Sequence, residues 1–330
     1  MTEPAVRADL AAIHIPVMAG TVADYLAPAL DHPGAVYVDG TVGVAGHASL
    51  ILDRDPQAVL IGIDRDADAL ELAARRLTRF GDRVRLVRAR FDELERVLDE
   101  SGAERIDAML LDLGLSSLQV DRTDRGFAYR VDAPLDMRMD TRGPLTAADV
   151  LNTYSPADLV RVLREYGEER QARRIVQTIV DEREREPFAT SARLVRAIAG
   201  ALPSAVRAGQ GGHPARRVFQ ALRIEVNGEL DALSGVLPVM LDRMAVHARA
   251  AVLAYHSLED RIVKRAFAGA ASDSAPAGLP VVPEPLLARF SLLTRGAQRP
   301  TEDEVGQNPR AASARLRVIE RVRPAGGGER

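Results

Sequence analysis

No cysteine occurs among the 330 residues, which excludes a disulfide framework, thiolate catalysis and cysteine-ligated zinc or iron–sulfur. Tryptophan is absent and aromatics make up 4% of the chain, which disfavours a platform that stacks a long single strand. Lys264 is the only lysine, the pattern of a GC-rich coding bias, so arginine abundance alone carries no functional meaning. No uncharged apolar run approaches the ~18 residues of a membrane span. The opening MTEPAVRADLAAIHIP lacks a signal-peptide core, so a cytoplasmic protein with no membrane partner is expected. The six histidines are scattered without ligand spacing, and no metal site is expected.

What is present is enough apolar material for a sizeable core, at 46% hydrophobic residues, and a length that suits about two domains at ~150 residues each. The net charge of -3 conceals a polarity. Residues 1–160 hold 17 basic and 27 acidic side chains, whereas residues 161–223 hold 13 arginines against 7 acids. The tail, 289–330, is again basic, with 9 against 5. An acidic front beside a basic middle and tail is compatible with a polyanionic partner held by part of the surface. Solvated arginine faces on helices give the same pattern.

The first third alternates strand and helix signals. Val36–Val38, Ala58–Ile63, Val84–Val87 and Ile106–Leu111 are apolar runs, and Asp66–Phe80 between them has helical spacing. Continuously apolar strands alternating with helices predict an α/β fold with a parallel sheet covered on both faces. From about Thr146 to Leu202 only helix signals occur. Ser155-Pro156-Ala157-Asp158 is a helix start, and Thr190 or Ser191 heads another helix that Leu202-Pro203 closes. A flexible break is expected at Ala208–Gly212, followed by a helix through Phe219–Val226 and another from about Leu230. Strand signals resume at Ala250–Tyr255 and end at Leu316–Val322, with a loop expected over Ala268–Pro285. The expected organisation is a discontinuous sheet domain, 1–130 with 213–330, interrupted by a helical insertion at 131–212.

Ligands of such sheets bind beyond the carboxyl ends of the strands, so residues just after each strand are the informative ones. The first turn, Asp39-Gly40-Thr41-Val42-Gly43-Val44-Ala45-Gly46-His47, lets backbone approach a ligand closely, though a tight strand-to-helix turn would look the same. Asp64 is placed to accept both ribose hydroxyl protons, or to cap the helix that follows. Phe91 is a ring for an adenine face, or a core residue. Asp112 follows four apolar residues, and an acid there costs stability unless partnered, so a site role is favoured. Together these mark an adenosyl pocket. No G-x-x-x-x-G-K-[ST] loop is present, which disfavours a nucleoside triphosphate. The glycine spacing G-x-x-G-x-x-G departs from the dinucleotide fingerprint, which points to S-adenosylmethionine rather than NAD.

The segments His14–Met18, Asp39–His47, Asp112–Asp121, Arg125–Phe127, Pro134–Met139, His213–Ile224, His256–Arg261 and Asn308–Arg310 together resemble the ribosomal RNA small subunit methyltransferase H family. That resemblance implies a Rossmann-like class I S-adenosylmethionine-dependent methyltransferase fold with an inserted helical domain. It implies methyl transfer to N4 of a cytidine in the decoding centre of 16S ribosomal RNA, within the small ribosomal subunit. A homodimer is compatible with the sequence. The family's cofactor residues carry over to Ala45, Gly46, His47, Asp64, Phe91, Asp112 and Gln119. The family turn usually reads Gly-Gly-His, with Ser next; this chain has Ala45-Gly46-His47-Ala48. If position 45 requires a positive φ, alanine strains it by roughly 1 kcal/mol, which the fold is expected to tolerate, with cofactor affinity the property open to change.

Asp112, Ser116 and Ser117 are placed to supply acceptors for the amine protons, and His256 is a second candidate, as proton acceptor or as the orienting residue of its own helix start. The Asp-Leu-Gly-Leu sequence here replaces the Asp/Asn-Pro-Pro-aromatic segment common among amino-methylating enzymes. Arg173, Arg174, Arg216, Arg217, Arg310 and Arg315 are candidate phosphate contacts. Two other functions compete with the enzyme: an S-adenosylmethionine-binding ribosome-assembly factor without catalysis, and an NAD-dependent oxidoreductase.

Overall fold

The computed structural model describes residues 16–114, 125–203, 213–276 and 281–324. The chain divides into two compact units, 1–114 with 231–330 and 115–230.

The first unit is built on seven strands: β1 (Val36–Asp39), β2 (Val59–Asp64), β3 (Val84–Arg88), β4 (Ile106–Asp112), β5 (Met244–Ala254), β6 (Phe290–Leu292) and β7 (Arg315–Arg321). Their order is β3-β2-β1-β4-β5-β7-β6. The first five pair in parallel, and β7 runs antiparallel to both β5 and β6. Strand order therefore reverses between β1 and β4. Alternate residues feed two cores: Tyr37, Leu60, Leu110, Leu253 and Leu316 belong to one, and Val38, Ile61, Met109, Val252 and Ile319 to the other. Both faces are buried, which is why the strands read as unbroken apolar runs.

The first face is covered by α1 (Ala19–Leu30), α2 (Gly46–Arg54) and α3 (Ala67–Leu77), through Leu26, Ile51, Leu52 and Leu77. On the second face lie α4 (Leu94–Ser101), α10 (Glu229–Arg243) and α11 (Ser257–Ala270), through Leu98, Leu237, Met240 and Phe267. The long helical pattern expected from Asp66 stops at Leu77, because Thr78–Arg83 tightens into a 3-10 turn in which Gly81 adopts φ 56°.

The second unit is helical, with α5 (Ala147–Thr153), α6 (Pro156–Glu165), α7 (Ala172–Arg183), α8 (Ser191–Ala201) and α9 (Ala215–Asn227). Ser155 caps α6 as its sequence predicts, its side chain accepting from the Asp158 N–H, and Pro156 opens the first turn. Thr146 and Asp149 form a capping box on α5. The core of this unit includes Phe127, Leu135 and Met137 before the helices and Val218, Phe219 and Leu222 on α9. Its boundaries therefore differ from those drawn at 131 and 212: α9 and the 125–139 segment bury their apolar side chains among α5–α8. The break at Ala208–Gly212 lies outside the described residues. A short α12 (Glu302–Gln307) precedes β7. No helix among the described residues is long and apolar enough to cross a membrane, and no group of three potential metal ligands occurs among them.

Candidate active site at the carboxyl edge of the sheet

The reversal of strand order opens a crevice at the carboxyl ends of β1 and β4, where ligands of open α/β sheets bind. Thr41 ties the two strand ends together. Its N–H donates to Asp39 Oδ1 at 3.2 Å, and its Oγ1 accepts from the Asp112 N–H at 2.7 Å. Asp39 is 2% exposed and also accepts from the Tyr37 hydroxyl at 3.2 Å. Burial pushes the Asp39 carboxyl up to about 7, with His47 opposing and Asp112 adding to the rise.

The turn after β1 is shaped for close backbone approach. Gly43 has φ 50°, and Ala45, in the N-cap position of α2, has φ 61° and ψ 37°. Position 45 thus takes the left-handed conformation, so alanine carries the strain that its sequence context foretold. A Cβ added to Gly40 would lie 2.6 Å from Leu111 Cδ2 and 3.5 Å from Phe91 Cβ, so the turn is packed to glycine dimensions. Phe91 itself is half-buried, on a 3-10 turn after β3.

Asp64 accepts from the Gly43 N–H through Oδ2 and from the Asp66 N–H through Oδ1, both at 2.9 Å. The helix cap proper is Asp66, whose side chain accepts from the Asp68 N–H. Asp64 therefore fixes the glycine turn to the end of β2 rather than capping α3. Each of its oxygens has one further acceptor direction, enough for two ribose hydroxyls. Burial raises its pKa, opposed by the two N–H donors.

Asp112 ends β4 and lies at the centre of a polar chain. Its side chain is 17% exposed, with Oδ2 at 3.6 Å from His47 Nδ1, and its Oδ1 accepts from the Tyr255 hydroxyl at 2.7 Å. Burial raises the Asp112 pKa; His47 and the Tyr255 hydrogen bond oppose the rise, and Glu259 adds to it. His47 is buried, with Nε2 donating to the Val17 carbonyl at 2.9 Å, which leaves Nδ1 turned to the carboxylate.

Beyond β5, Glu259 accepts from the Tyr255 N–H at 2.8 Å and the His256 N–H at 3.2 Å. His256 is the N-cap of α11: its Nδ1 accepts from the Glu259 N–H, and its Nε2 lies 3.1 Å from Glu259 Oε1. Both ring nitrogens of His256 face its own helix start. The structure brings Ala45, Gly46, His47, Asp64, Phe91 and Asp112 together around the strand ends, and Gln119, Ser116 and Ser117 lie outside the described residues.

Sequence reading missed the roles of Asp39, Thr41, Tyr255 and Glu259. Asp39 and Tyr255 each directly follow an apolar run, the same signal that singled out Asp112.

The fit of this site to an adenosyl methyl donor rests on the donor set. Backbone held at glycine dimensions, a twice-anchored carboxylate with spare acceptor capacity and a half-buried ring gather at the carboxyl ends of the strands. A sheet of this order, with its antiparallel seventh strand and this crevice, defines a class I S-adenosylmethionine-dependent methyltransferase. The chain belongs to the MraW methylase family, which it matches over residues 11–322. It is 58% identical over 313 residues to the ribosomal RNA small subunit methyltransferase H of Cutibacterium acnes, covering 95% of this chain and 93% of that protein. To the protein of the same name from Streptomyces avermitilis it is 56% identical over 310 residues, covering 94% and 97%. Among solved structures, an rRNA methylase from Streptococcus thermophilus aligns over 94% of this chain and 99% of its own, with 13% identity and a TM-score of 0.43.

Proposed function

We propose that the chain methylates N4 of a cytidine in the decoding centre of 16S ribosomal RNA, with Asp112 as the acceptor that receives the amine proton. The names of the curated relatives support ribosomal RNA of the small subunit as substrate. The observation that carries the role of Asp112 is its placement: a partly exposed carboxylate at the strand-order reversal, held at its backbone by Thr41 and at one oxygen by Tyr255.

S-adenosylmethionine supplies a methyl group on a sulfonium, already activated for transfer. The chain's residues then have two tasks. Asp64, Phe91 and the 40–47 turn hold the adenosyl end, so that the geometry at the far end is fixed before reaction. Asp112 faces a cytosine amine whose lone pair is delocalised into the ring; accepting an N–H draws that nitrogen toward pyramidal geometry and offsets the positive charge that develops on it. Transfer would form the N–CH3 bond as the S–CH3 bond breaks and the thioether leaves, and the Asp112 carboxylate would take the N4 proton. His256 Nδ1 is taken up by the Glu259 N–H and its buried Nε2 lies beside the Glu259 carboxylate, which favours Asp112.

The base must leave its stack to reach this crevice, which an unpaired or distorted region makes cheaper. Arg173, Arg174 and Arg216 are exposed and make no side-chain hydrogen bond or ion pair among the described residues. Arg217 lies 4.0 Å from Glu169, and Arg315 pairs with Asp260 at 3.4 Å. With Arg310, also exposed, these supply phosphate contacts in this reading.

The test uses small subunits from cells lacking the enzyme and a donor labelled on the methyl group. Label is expected on N4-methylcytidine. Asp112→Asn is expected to lower kcat at least ~100-fold, within the range for loss of a positioned proton acceptor. Label on another atom, or full activity in Asp112→Asn, counts against the proposal.

A further inference from the structure

The helical unit carries an aromatic pair at the rim of its core. The rings of Tyr129 and His213 stack with centroids 4.6 Å apart and planes 19° apart. Tyr129 is half-buried and meets the buried Phe219 edge-on, at 5.9 Å and 76°, which anchors it to the core. His213 is exposed. One face of its ring lies on Tyr129, so its exposure belongs to the opposite face and the edge.

The imidazole is also fixed in orientation. Its Nδ1 accepts from the Ala215 N–H at 3.2 Å, in the entry to α9. The ring is thus held flat by a stack on one side and by a backbone donor in its own plane. Holding a half-polar ring in this way costs rotamer freedom, and a side chain that served only solvation would not incur that cost.

The surroundings are cationic and partly apolar. Arg130 is exposed, its guanidinium carbon 5.8 Å from the Tyr129 ring centroid. Arg216 follows one turn along, its N–H bonded to the His213 carbonyl at 3.0 Å while its side chain has no partner among the described residues. Val131 is 44% exposed. A flat ring face beside guanidinium groups that have no hydrogen-bond or ion-pair partner among the described residues is the combination that holds unpaired nucleotides, with the base on the ring and the phosphate on the cation. A duplex offers no free base face to such a surface.

We propose that the Tyr129–His213 stack, with Arg130 and Arg216, is a docking site for one unpaired nucleotide of the RNA substrate. This rests on the reading of the chain as an enzyme acting on RNA. The site is tolerant of base identity, since every base presents a π face, and its contribution is to RNA binding.

The experiment uses the full chain and single-stranded oligoribonucleotides of the substrate sequence, with 2-aminopurine placed at successive positions. Binding is expected to quench the fluorophore at one unpaired position. His213→Ala is expected to abolish that quenching and weaken binding roughly 5- to 100-fold, whereas His213→Phe retains both. Both variants lose the Nδ1 cap on the helix, so the difference between them reports ring stacking alone. Arg216→Gln is expected to lower the slope of log affinity against log salt by about 0.7, while His213→Ala leaves it unchanged. Parent-like helical circular dichroism and an unchanged urea midpoint, measured for every variant, show that the helical unit is folded in each. Equal quenching and affinity in His213→Ala would overturn the proposed site, even if the parent labels small subunits. A parent that quenches as described yet transfers no methyl group would retire the proposed reaction and leave the nucleotide site standing.

Discussion

Tyr255 controls Asp112 through one hydrogen bond, and its consequence for pH has a definite sign. Asp112 faces His47 from α2, Tyr255 beyond β5 and Glu259 from α11, and it adds to the raised pKa of Asp39 at the end of β1. The Tyr255 hydroxyl stabilises the ionised carboxylate, so Tyr255→Phe lets the Asp112 pKa climb further. The active form in the proposed reaction is ionised. The acidic limb of the rate profile is therefore expected to move to higher pH, with donor affinity unchanged. A superimposable profile would show that the hydroxyl does not tune the carboxylate. Ala45 illustrates how opposed terms decide a stability. Ala45→Gly relieves left-handed strain of about 1–2 kcal/mol. It also removes a fully buried methyl worth about 0.8 kcal/mol and adds roughly 0.5–1 kcal/mol of chain entropy cost. Stability is expected to stay within about 1 kcal/mol of the parent, read as a small midpoint change at constant m in urea unfolding. At this scale the sequence showed which residues end strands, and so found Asp64 and Asp112. It did not show that Tyr255 reaches Asp112, because the partners are 143 positions apart and only the β4–β5 pairing brings them together.

The strands were legible as elements because burial on both faces removes alternation and leaves apolar runs. β6 was not, since three residues at a sheet edge, two of them exposed, carry no such run. The amino half of β5 was missed for the same reason: Ala245–His247 is not fully buried, and His247 has φ 69°. Helix starts with side-chain caps, such as Ser155, were read directly, whereas α1 follows Met18 in a left-handed conformation with no side-chain cap and gave no signal. Two glycines of the helical unit separate geometry from propensity. Gly126 has φ +70°, and a Cβ there would lie 2.0 Å from the Pro134 carbonyl oxygen, a backbone atom. Gly200, within α8, would meet nothing within 4 Å. Gly126→Ala is expected to destabilise the unit by about 3 kcal/mol or more, from the clash and the strained φ together. Gly200→Ala is expected to stabilise by up to ~1 kcal/mol. Unfolding followed by circular dichroism distinguishes them, and equal effects would mean that the 125–139 segment adapts.

Each unit of the molecule has its own core, and the described residues of the donor pocket all lie in the sheet unit. Ligand binding stabilises only conformations that retain the site, by about 2.7 kcal/mol at a hundredfold excess over Kd. Amides of β1, β2 and β4 exchange through openings that destroy the pocket, so the donor is expected to slow them by nearly the full factor that this energy implies, about a hundredfold. Amides of α7 and α8, whose apolar partners belong to the helical core, exchange through openings that leave the strand ends intact, and their rates are expected to change little. Hydrogen exchange followed by mass spectrometry, with and without S-adenosylmethionine, reads both at once. A uniform slowing across strands and helices would instead mean that the two cores open as one cooperative unit, and donor binding would then be felt wherever the RNA is held.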